Sequence, residues 1–299
     1  MRATQELEIP KIVRQLKLYG KRMATSLLIG HYKSLFRGHG VEFDGYREYT
    51  TGDDASLIDW KASLRSRSLL VKTYVEERRR GILFLIDAGD SMALGSTALL
   101  KHEYVANLVA TISYAVIETG DAVSAIFFSD GPRKVVPPGT GQRQFHVLAQ
   151  ALVSPESYGG QLDLGTALHF LLANIRSRST IVFVISDFLG LRGERWKQEL
   201  KWVAAKADTI CLMIRDPRDR TLPDEPLKVY LQDPHSDRKL LVDTGLLAAH
   251  YTQYVQQQEQ QLKAAITGSY ADLLPLRTEE PFILPLIRFF ETRHRQWLS

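Results

Sequence analysis

The clearest hydrophobic pattern in the sequence is a set of short runs in which large apolar residues follow one another without alternation. Residues 82–86, 122–128, 180–185 and 209–214 are of this kind. A strand that is buried on both faces has no polar side, and such strands are typical of parallel sheets in α/β proteins. These runs therefore predict the central strands of a buried sheet.

Helical segments lie between the runs, and Gly120 follows the first of them directly, as is typical of a helix end. The predicted helices are residues 98–119, 142–152, 166–176 and 193–205. A short strand is predicted at 133–136, a last strand at 271–276 and a closing amphipathic helix at 282–296. Strands that alternate with helices at this spacing predict an α/β fold, a doubly wound and mostly parallel sheet of about six strands.

The segment before residue 81 has a different pattern. Residues 4–27 predict a helix, residues 37–61 are rich in glycine and turn residues, and residues 69–75 predict a strand. We interpret residues 1–80 as an N-terminal α+β module, followed by the sheet domain at 81–299.

The strand–helix rhythm breaks again at residues 216–245, where prolines recur. Residues 228–231 and 239–242 predict a hairpin around 234–237, and a long helix follows at 246–267. We interpret 216–245 as an insertion in a sheet that is completed only near the C-terminus.

Composition narrows the class of protein. The chain of 299 residues has a net charge of +4, which is too small to indicate nucleic-acid binding by itself. The single cysteine, Cys211, excludes an internal disulfide and a cysteine-based zinc site. No signal peptide or transmembrane span is visible, so we expect a cytoplasmic protein.

Oxygen-bearing side chains follow three of the predicted elements. Asp87, Asp90 and Ser91 follow the first apolar run, the loop 159–166 ends in Thr166, and Asp187 follows the run at 180–185. If the sheet is parallel, these groups meet at its carboxyl edge, where α/β proteins bind ligands. Such hard oxygens suit Mg²⁺, and a loosely held ion could accept a carboxylate from a partner. The alternative is a solvated turn in which Asp90 or Ser91 caps the next helix.

The same residues resemble the metal-ion-dependent adhesion site of von Willebrand factor A domains, which follows the pattern Asp-x-Ser-x-Ser with a later Thr and a later Asp. Asp87, Ser91, Thr166 and Asp187 match in order. Gly89 stands where the pattern has its first serine, so one hydroxyl ligand is missing. The resemblance implies a degenerate site with Mg²⁺ as its cofactor.

A second resemblance covers almost the whole chain. The segments Gly38-x-Gly40, Glu42-Phe43, Arg47-Glu48-Tyr49, Gly52-Asp53-Asp54, Ile58-Asp59-Trp60-Lys61 and Arg65, with Arg215-Asp216-Pro217 and Leu222-Pro223 further on, are similar to the bacterial domain-of-unknown-function family fifty-eight. Members join such an N-terminal module to an A-like domain. The resemblance implies an adaptor that works beside a MoxR-type AAA+ ATPase in chaperone-like maturation or assembly of a client protein.

Two functional hypotheses follow. In the first, a non-enzymatic protein docks its partner at the Asp87, Ser91, Thr166 and Asp187 edge, with Asp90 beside it. A second surface is formed by the 216–245 hairpin and by the N-terminal module, with Arg47, Asp53, Asp54, Asp59, Trp60 and Arg65. In the second, a metal-dependent hydrolase resembling a nuclease uses Asp59 and Lys61, or Asp87, and holds phosphate with its basic residues. No Gly-x-x-x-x-Gly-Lys-Ser/Thr loop is present, so we expect no bound nucleotide. Ser91 has no histidine placed to activate it, and we favour the first hypothesis.

Overall fold

The computed structural model describes residues 2–24, 29–30, 42–75, 81–175, 180–191, 193–223, 225, 227–232 and 239–298. The end of the predicted N-terminal helix at 25–27, the glycines at 38 and 40 and the hairpin tip at 234–237 lie outside these residues.

A six-stranded sheet forms the centre of the protein. Its strands are β3 (Gly81–Asp87), β4 (Ala122–Phe128), β5 (Pro132–Gly139), β6 (Thr180–Ser186), β7 (Asp208–Arg215) and β10 (Asp272–Arg277). They lie in the order β10-β7-β6-β3-β4-β5, and every neighbouring pair is parallel except β4 and β5. The predicted α/β class, with a mostly parallel sheet of about six strands, is confirmed.

Alternate residues of the central strands pack into two cores, one on each face of the sheet. Ile82, Phe84 and Ile86 of β3 belong to the first core, whereas Leu83 and Leu85 belong to the second. Because both faces are covered, no position along the strand tolerates a polar side chain, which explains the uninterrupted apolar runs.

Helices cover both faces of the sheet. The first core includes side chains of α1 (Arg2–Met23), α3 (Lys101–Glu118), α4 (Gly141–Val153) and α8 (Ile283–Leu298). The second includes side chains of α5 (Leu164–Asn174), α6 (Arg195–Lys206) and α7 (Thr244–Thr267).

The N-terminal region contributes to the main core as well as forming a small sheet. Val13 and Leu16 of α1 are buried in the first core. β1 (Glu42–Glu48) and β2 (Leu70–Val75) form an antiparallel pair, and α2 (Trp60–Ser66) lies between them in sequence. The boundary that we placed between residues 80 and 81 stays a prediction, but α1 packs on the sheet domain.

The region that we interpreted as an insertion contains the predicted hairpin. β8 (Lys228–Gln232) and β9 (Lys239–Asp243) pair in antiparallel register and lead directly into α7. Upstream, Pro217–Arg220 forms a single helical turn immediately after β7. Among the described residues, no helix has the length and hydrophobicity needed to cross a membrane.

Candidate functional site at the carboxyl edge of the sheet

Asp87 ends β3 and is buried at the carboxyl edge of the sheet. Its Oδ1 accepts a hydrogen bond from the Gly89 amide at 2.8 Å, and its Oδ2 accepts one from the Ser186 hydroxyl at 2.6 Å. Burial, followed by the charge of Asp187, raises the pKa of Asp87 to about 7. The strand therefore delivers a carboxylate that is held by two donors but is short of positive charge.

Asp187 comes from the adjacent strand β6, and its side chain is completely buried. A tight turn holds it, because Leu189 donates its amide to Asp187 Oδ1 at 2.9 Å and Phe188 adopts a φ of 51°. A left-handed conformation at a bulky residue costs roughly 1–2 kcal/mol. The structure thus brings Asp87 and Asp187 together at one edge, as the sequence pattern predicted.

Lys101, like Asp219 next to it, belongs to this edge but was not predicted from the sequence. Its Nζ donates to Asp187 Oδ2 at 2.7 Å and contacts Asp219 Oδ2 at 3.1 Å, and only 1 % of the side chain is exposed. Burial alone would lower the pKa of Lys101, but the charges of Asp187 and Asp219 outweigh it and the pKa is raised. The lysine therefore carries a fixed positive charge between two aspartates.

We use the name polar edge for the buried group Asp87, Ser186, Asp187, Lys101 and Asp219. Asp219 comes from the helical turn after β7, and burial raises its pKa although Lys101 opposes the shift. In that turn, Asp216 accepts hydrogen bonds from the amide and hydroxyl of Ser96, at 2.7 and 2.6 Å. The turn is thereby fixed to the loop that precedes Lys101.

The loop 159–166, which we call the glycine loop, lies against the same edge. Among the described residues, Thr166 makes no hydrogen bond to Asp87. Gly159 donates to Ala88 O at 2.7 Å, and Gly160 donates to Asp90 Oδ1 at 3.0 Å. The Thr166 hydroxyl donates to Asp163 Oδ2 at 2.7 Å, so it belongs to the N-terminal cap of α5. Asp90 thus anchors the glycine loop.

Ser91 lies half-buried in the short helical turn Asp90–Ala93 that follows β3. Gly89, one residue before that turn, is closely packed. A Cβ atom at this position would come within 3.0 Å of Asp87 Oδ1. The serine of the adhesion-site pattern would therefore crowd the carboxylate that it is meant to assist.

As placed here, these residues do not fit Mg²⁺ in the manner of the adhesion-site pattern. Lys101 Nζ supplies a positive charge 2.7 Å from Asp187, and Thr166 hydrogen bonds to Asp163 instead of facing an ion. Across the described ranges, no group of three or more His, Cys, Asp or Glu side chains is arranged to hold a metal. Magnesium binding stays a prediction from sequence, and no step proposed below requires it.

The acidic residues predicted for partner binding in the N-terminal module have local structural contacts. Asp53 pairs with Arg47 through Nη2 and Oδ1 at 2.7 Å, and Asp54 accepts the Ser56 amide at 2.9 Å. Asp59 Oδ1 caps α2 by accepting the amides of Lys61 and Ala62. These carboxylates therefore shape the turns of the module.

The remaining residues predicted for partner binding at this module are exposed. Trp60 is 63 % exposed, which differs from the packed position that a structural role would give it. Arg65 lies beside Asp59 and Lys61 on the wall of a shallow depression. Since Asp59 Oδ2 also accepts the Tyr46 hydroxyl and pairs with Lys72, its two oxygens already serve the fold, and nothing here favours the nuclease alternative.

Comparison with solved structures finds chains of low similarity. BatB from Bacteroides thetaiotaomicron has a TM-score of 0.47 and 13 % identity, covering 72 % of this chain and 98 % of that chain. The SpRpn10 VWA domain has a TM-score of 0.42 and 13 % identity, covering 71 % and 94 %.

Sequence relatives cover different shares of the chain. An uncharacterized protein of Mycobacterium tuberculosis is 27 % identical over 301 aligned residues, covering 98 % of this chain and 93 % of the relative. An uncharacterized protein of Mycobacterium avium is 30 % identical over 168 residues, covering 55 % and 96 %. The model of the family described as "Protein of unknown function DUF58" matches residues 45–263. This match spans most of the sequence, and the chain belongs to the DUF58 family.

Proposed function

We propose that this protein is a non-enzymatic interaction protein that acts in the cytoplasm with a MoxR-type AAA+ ATPase. Its role is chaperone-like maturation or assembly of a client protein. The polar edge and the residues exposed around it form the docking surface. The ATPase and the client come from the family resemblance, and the docking surface comes from the geometry.

One observation supports this proposal most directly: the charged and polar groups of the polar edge are occupied by hydrogen bonds and ion pairs within the protein. Lys101 contacts Asp187 and Asp219, and Asp87 accepts from Ser186 and Gly89. An enzyme needs a nucleophile or a base that is free to meet substrate. Here the buried charges rigidify the loops instead.

Two apolar side chains are exposed in the loops next to these buried charges. Leu189 follows Asp187 by two residues and is 38 % exposed, and Leu94 lies in the loop after Ser91 and is 52 % exposed. Exposed apolar side chains that rigid loops hold in place can anchor a protein partner at little entropic cost. Asp90 and Ser91 lie in the helical turn that directly precedes Leu94.

Substitution of the two leucines tests the docking surface. Leu189→Glu and Leu94→Glu each place a charge in the proposed contact, and we expect at least roughly tenfold weaker binding of the ATPase, which is about 1.4 kcal/mol. Trp202→Glu is the control, because Trp202 is 48 % exposed on α6, near the end that leads into the start of β7. Calorimetry with the purified ATPase measures the three affinities.

The outcome separates the surface from the partner. Equal affinity for all four proteins would show that the ATPase docks elsewhere, and no binding by the wild-type chain would refute the partnership itself.

The same titration in EDTA tests the role of metal. Because Lys101 already supplies the positive charge, we expect the affinity to be unchanged in EDTA, and a large loss would show that a divalent ion completes the site.

A further inference from the structure

A cavity lies beside the helical turn Pro217–Arg220, which carries Asp219. Its volume is about 600 Å³, and its walls come from α7, the carboxyl ends of β7 and β10, and the start of α8. Pockets that bind small molecules in proteins typically measure about 300–1,000 Å³. We call this space the arginine cavity, after Arg215, Arg220 and Arg277 in its wall.

Arg215 is the most informative residue of the arginine cavity. It ends β7 and is only 4 % exposed, yet its Nε and Nη1 have no hydrogen-bond partner among the described residues. Glu259 Oε1 lies 3.3 Å from Nε, which is close enough for an ion pair but is not aligned for a hydrogen bond. A buried guanidinium normally satisfies its donors, so these unpaired N–H groups indicate a missing acceptor.

The charge of the cavity wall favours an anion. Arg215, Arg220, Lys263 and Arg277 face only two carboxylates, Glu259 and Glu280. Glu259 is shared between Arg215 and Arg220, whose Nε lies 3.5 Å from it, and Glu280 pairs with Arg277. The positive charge around Arg215 is therefore only partly neutralised by the protein.

The wall also has an apolar part, which includes Met213, Leu273 and Pro275. A ligand that fits both parts carries an anionic oxygen group and a compact apolar body. We propose that the arginine cavity binds a small organic anion, whose carboxylate or phosphate accepts hydrogen bonds from Arg215. Guanidinium groups bind both anions through paired N–H donors.

Glu259 gives the proposal a specific consequence. In the ligand-free chain its carboxylate forms an ion pair with Arg215 and partly neutralises it. Glu259 therefore competes with an incoming anion for Arg215. Removing its charge should strengthen ligand binding, whereas a purely structural ion pair would show no such effect. This inference does not depend on the proposed function, because neither Leu94 nor Leu189 lines the arginine cavity.

Calorimetry with three matched probes tests the site on the full chain. Benzoate and phenyl phosphate carry the two anionic groups on the same ring, and benzamide is the neutral control. We expect saturable binding of one or both anions and none of benzamide. The stronger of the two anions identifies the group that the cavity prefers.

Two substitutions then locate the binding. Glu259→Gln should tighten anion binding by roughly three- to tenfold, and Arg215→Gln should weaken it by at least roughly tenfold. Arg288→Gln removes the same charge at an exposed position of α8 and should leave the affinity unchanged. If Arg215→Gln fails to fold, the Glu259→Gln result alone decides. Absence of saturable anion binding, or unchanged or weaker binding in Glu259→Gln, would overturn the proposal.

Discussion

Lys101 is the first residue of α3, where the free amides of the helix already concentrate positive charge. A lysine at this position is unfavourable unless an external anion compensates both charges. Asp187 and Asp219 provide that compensation from two other elements. The lysine therefore connects α3 to the ends of β6 and β7.

Replacing Lys101 tests this connection. Lys101→Met leaves Asp187 and Asp219 without their cation, and breaking a buried pair in this way destabilises a protein by roughly 3–5 kcal/mol. Urea denaturation followed by circular dichroism measures the loss. Lys201→Met, at an exposed position of α6, is the control and should cost little.

A double substitution shows whether the loss comes from the charge or from packing. Lys101→Met combined with Asp187→Asn removes both partners, so it should be more stable than Lys101→Met alone. If the losses of stability from the two single substitutions simply add in the double variant, Lys101 does not compensate the charge of Asp187, and the proposed connection between α3 and β6 is wrong.

Asp87 makes stability depend on pH in a direction unusual for a carboxylate. Its pKa rises from 3.8 in a free side chain to about 7 in the folded chain, chiefly through burial. The folded state then holds the proton more tightly than the unfolded state. The resulting stabilisation is complete below pH 3.8 and is lost as the pH rises to 7.

Asp87→Asn isolates this contribution from those of Asp54, Asp59 and Asp163, whose lowered pKa values act in the opposite direction. Relative to wild type, the asparagine variant should gain stability as the pH rises from 4 to 7, by at most about 4 kcal/mol. Urea denaturation at a series of pH values measures the difference. A difference independent of pH would show that Asp87 is ionised throughout this range.

At the scale of elements, the strands were predictable and the contacts between their ends were not. An apolar run such as 180–185 predicts a buried strand because burial on both faces leaves a simple signal in one segment. Lys101, Asp187 and Asp219 come from three segments, so their pairing depends on strand order, which no single segment encodes. A lysine starting an otherwise apolar helix was the available signal.

Thr166 is a residue for which the sequence pattern and the fold indicate different roles. Its place in the adhesion-site pattern predicted a metal ligand, whereas in the fold its hydroxyl serves the cap of α5 together with Asp163. Spacing alone does not separate these two roles, because Asp-x-x-Thr at a helix start satisfies both. Only the Asp163 side chain, three residues earlier, favoured the cap.

Asp163 and Thr166 therefore differ in their expected effects on stability. Asp163→Ala removes the acceptor of the Thr166 amide and should cost about 1 kcal/mol, as for other helix caps. Thr166→Val keeps that amide bond and loses only the hydroxyl, so it should cost less. Thermal denaturation without added metal measures both. A larger loss for Thr166→Val would show a role for the hydroxyl beyond the cap.

At the scale of the whole molecule, one short segment lies between the two candidate sites. Arg215 lines the arginine cavity, Asp219 holds Lys101, and Asp216 accepts from Ser96 and from Thr278 at the end of β10. Residues 215–219 therefore touch both the cavity and the polar edge. We interpreted residues 216–245 as an insertion, but the side chains of Asp216 and Asp219 help to organise the carboxyl edge of the sheet.

The N-terminal helix α1 also packs on the sheet domain. Val13 of α1 is 3 % exposed in the core of the sheet domain, whereas its neighbour Ile12 is 41 % exposed. Val13→Ala should therefore destabilise the whole sheet domain by roughly 1–3 kcal/mol, and Ile12→Ala by less than about 0.5 kcal/mol. Near-ultraviolet circular dichroism during urea denaturation reports the packing of that core. One shared transition that shifts only in Val13→Ala would show that α1 folds with the sheet. An unchanged transition in both variants would show that the N-terminal module folds independently of it.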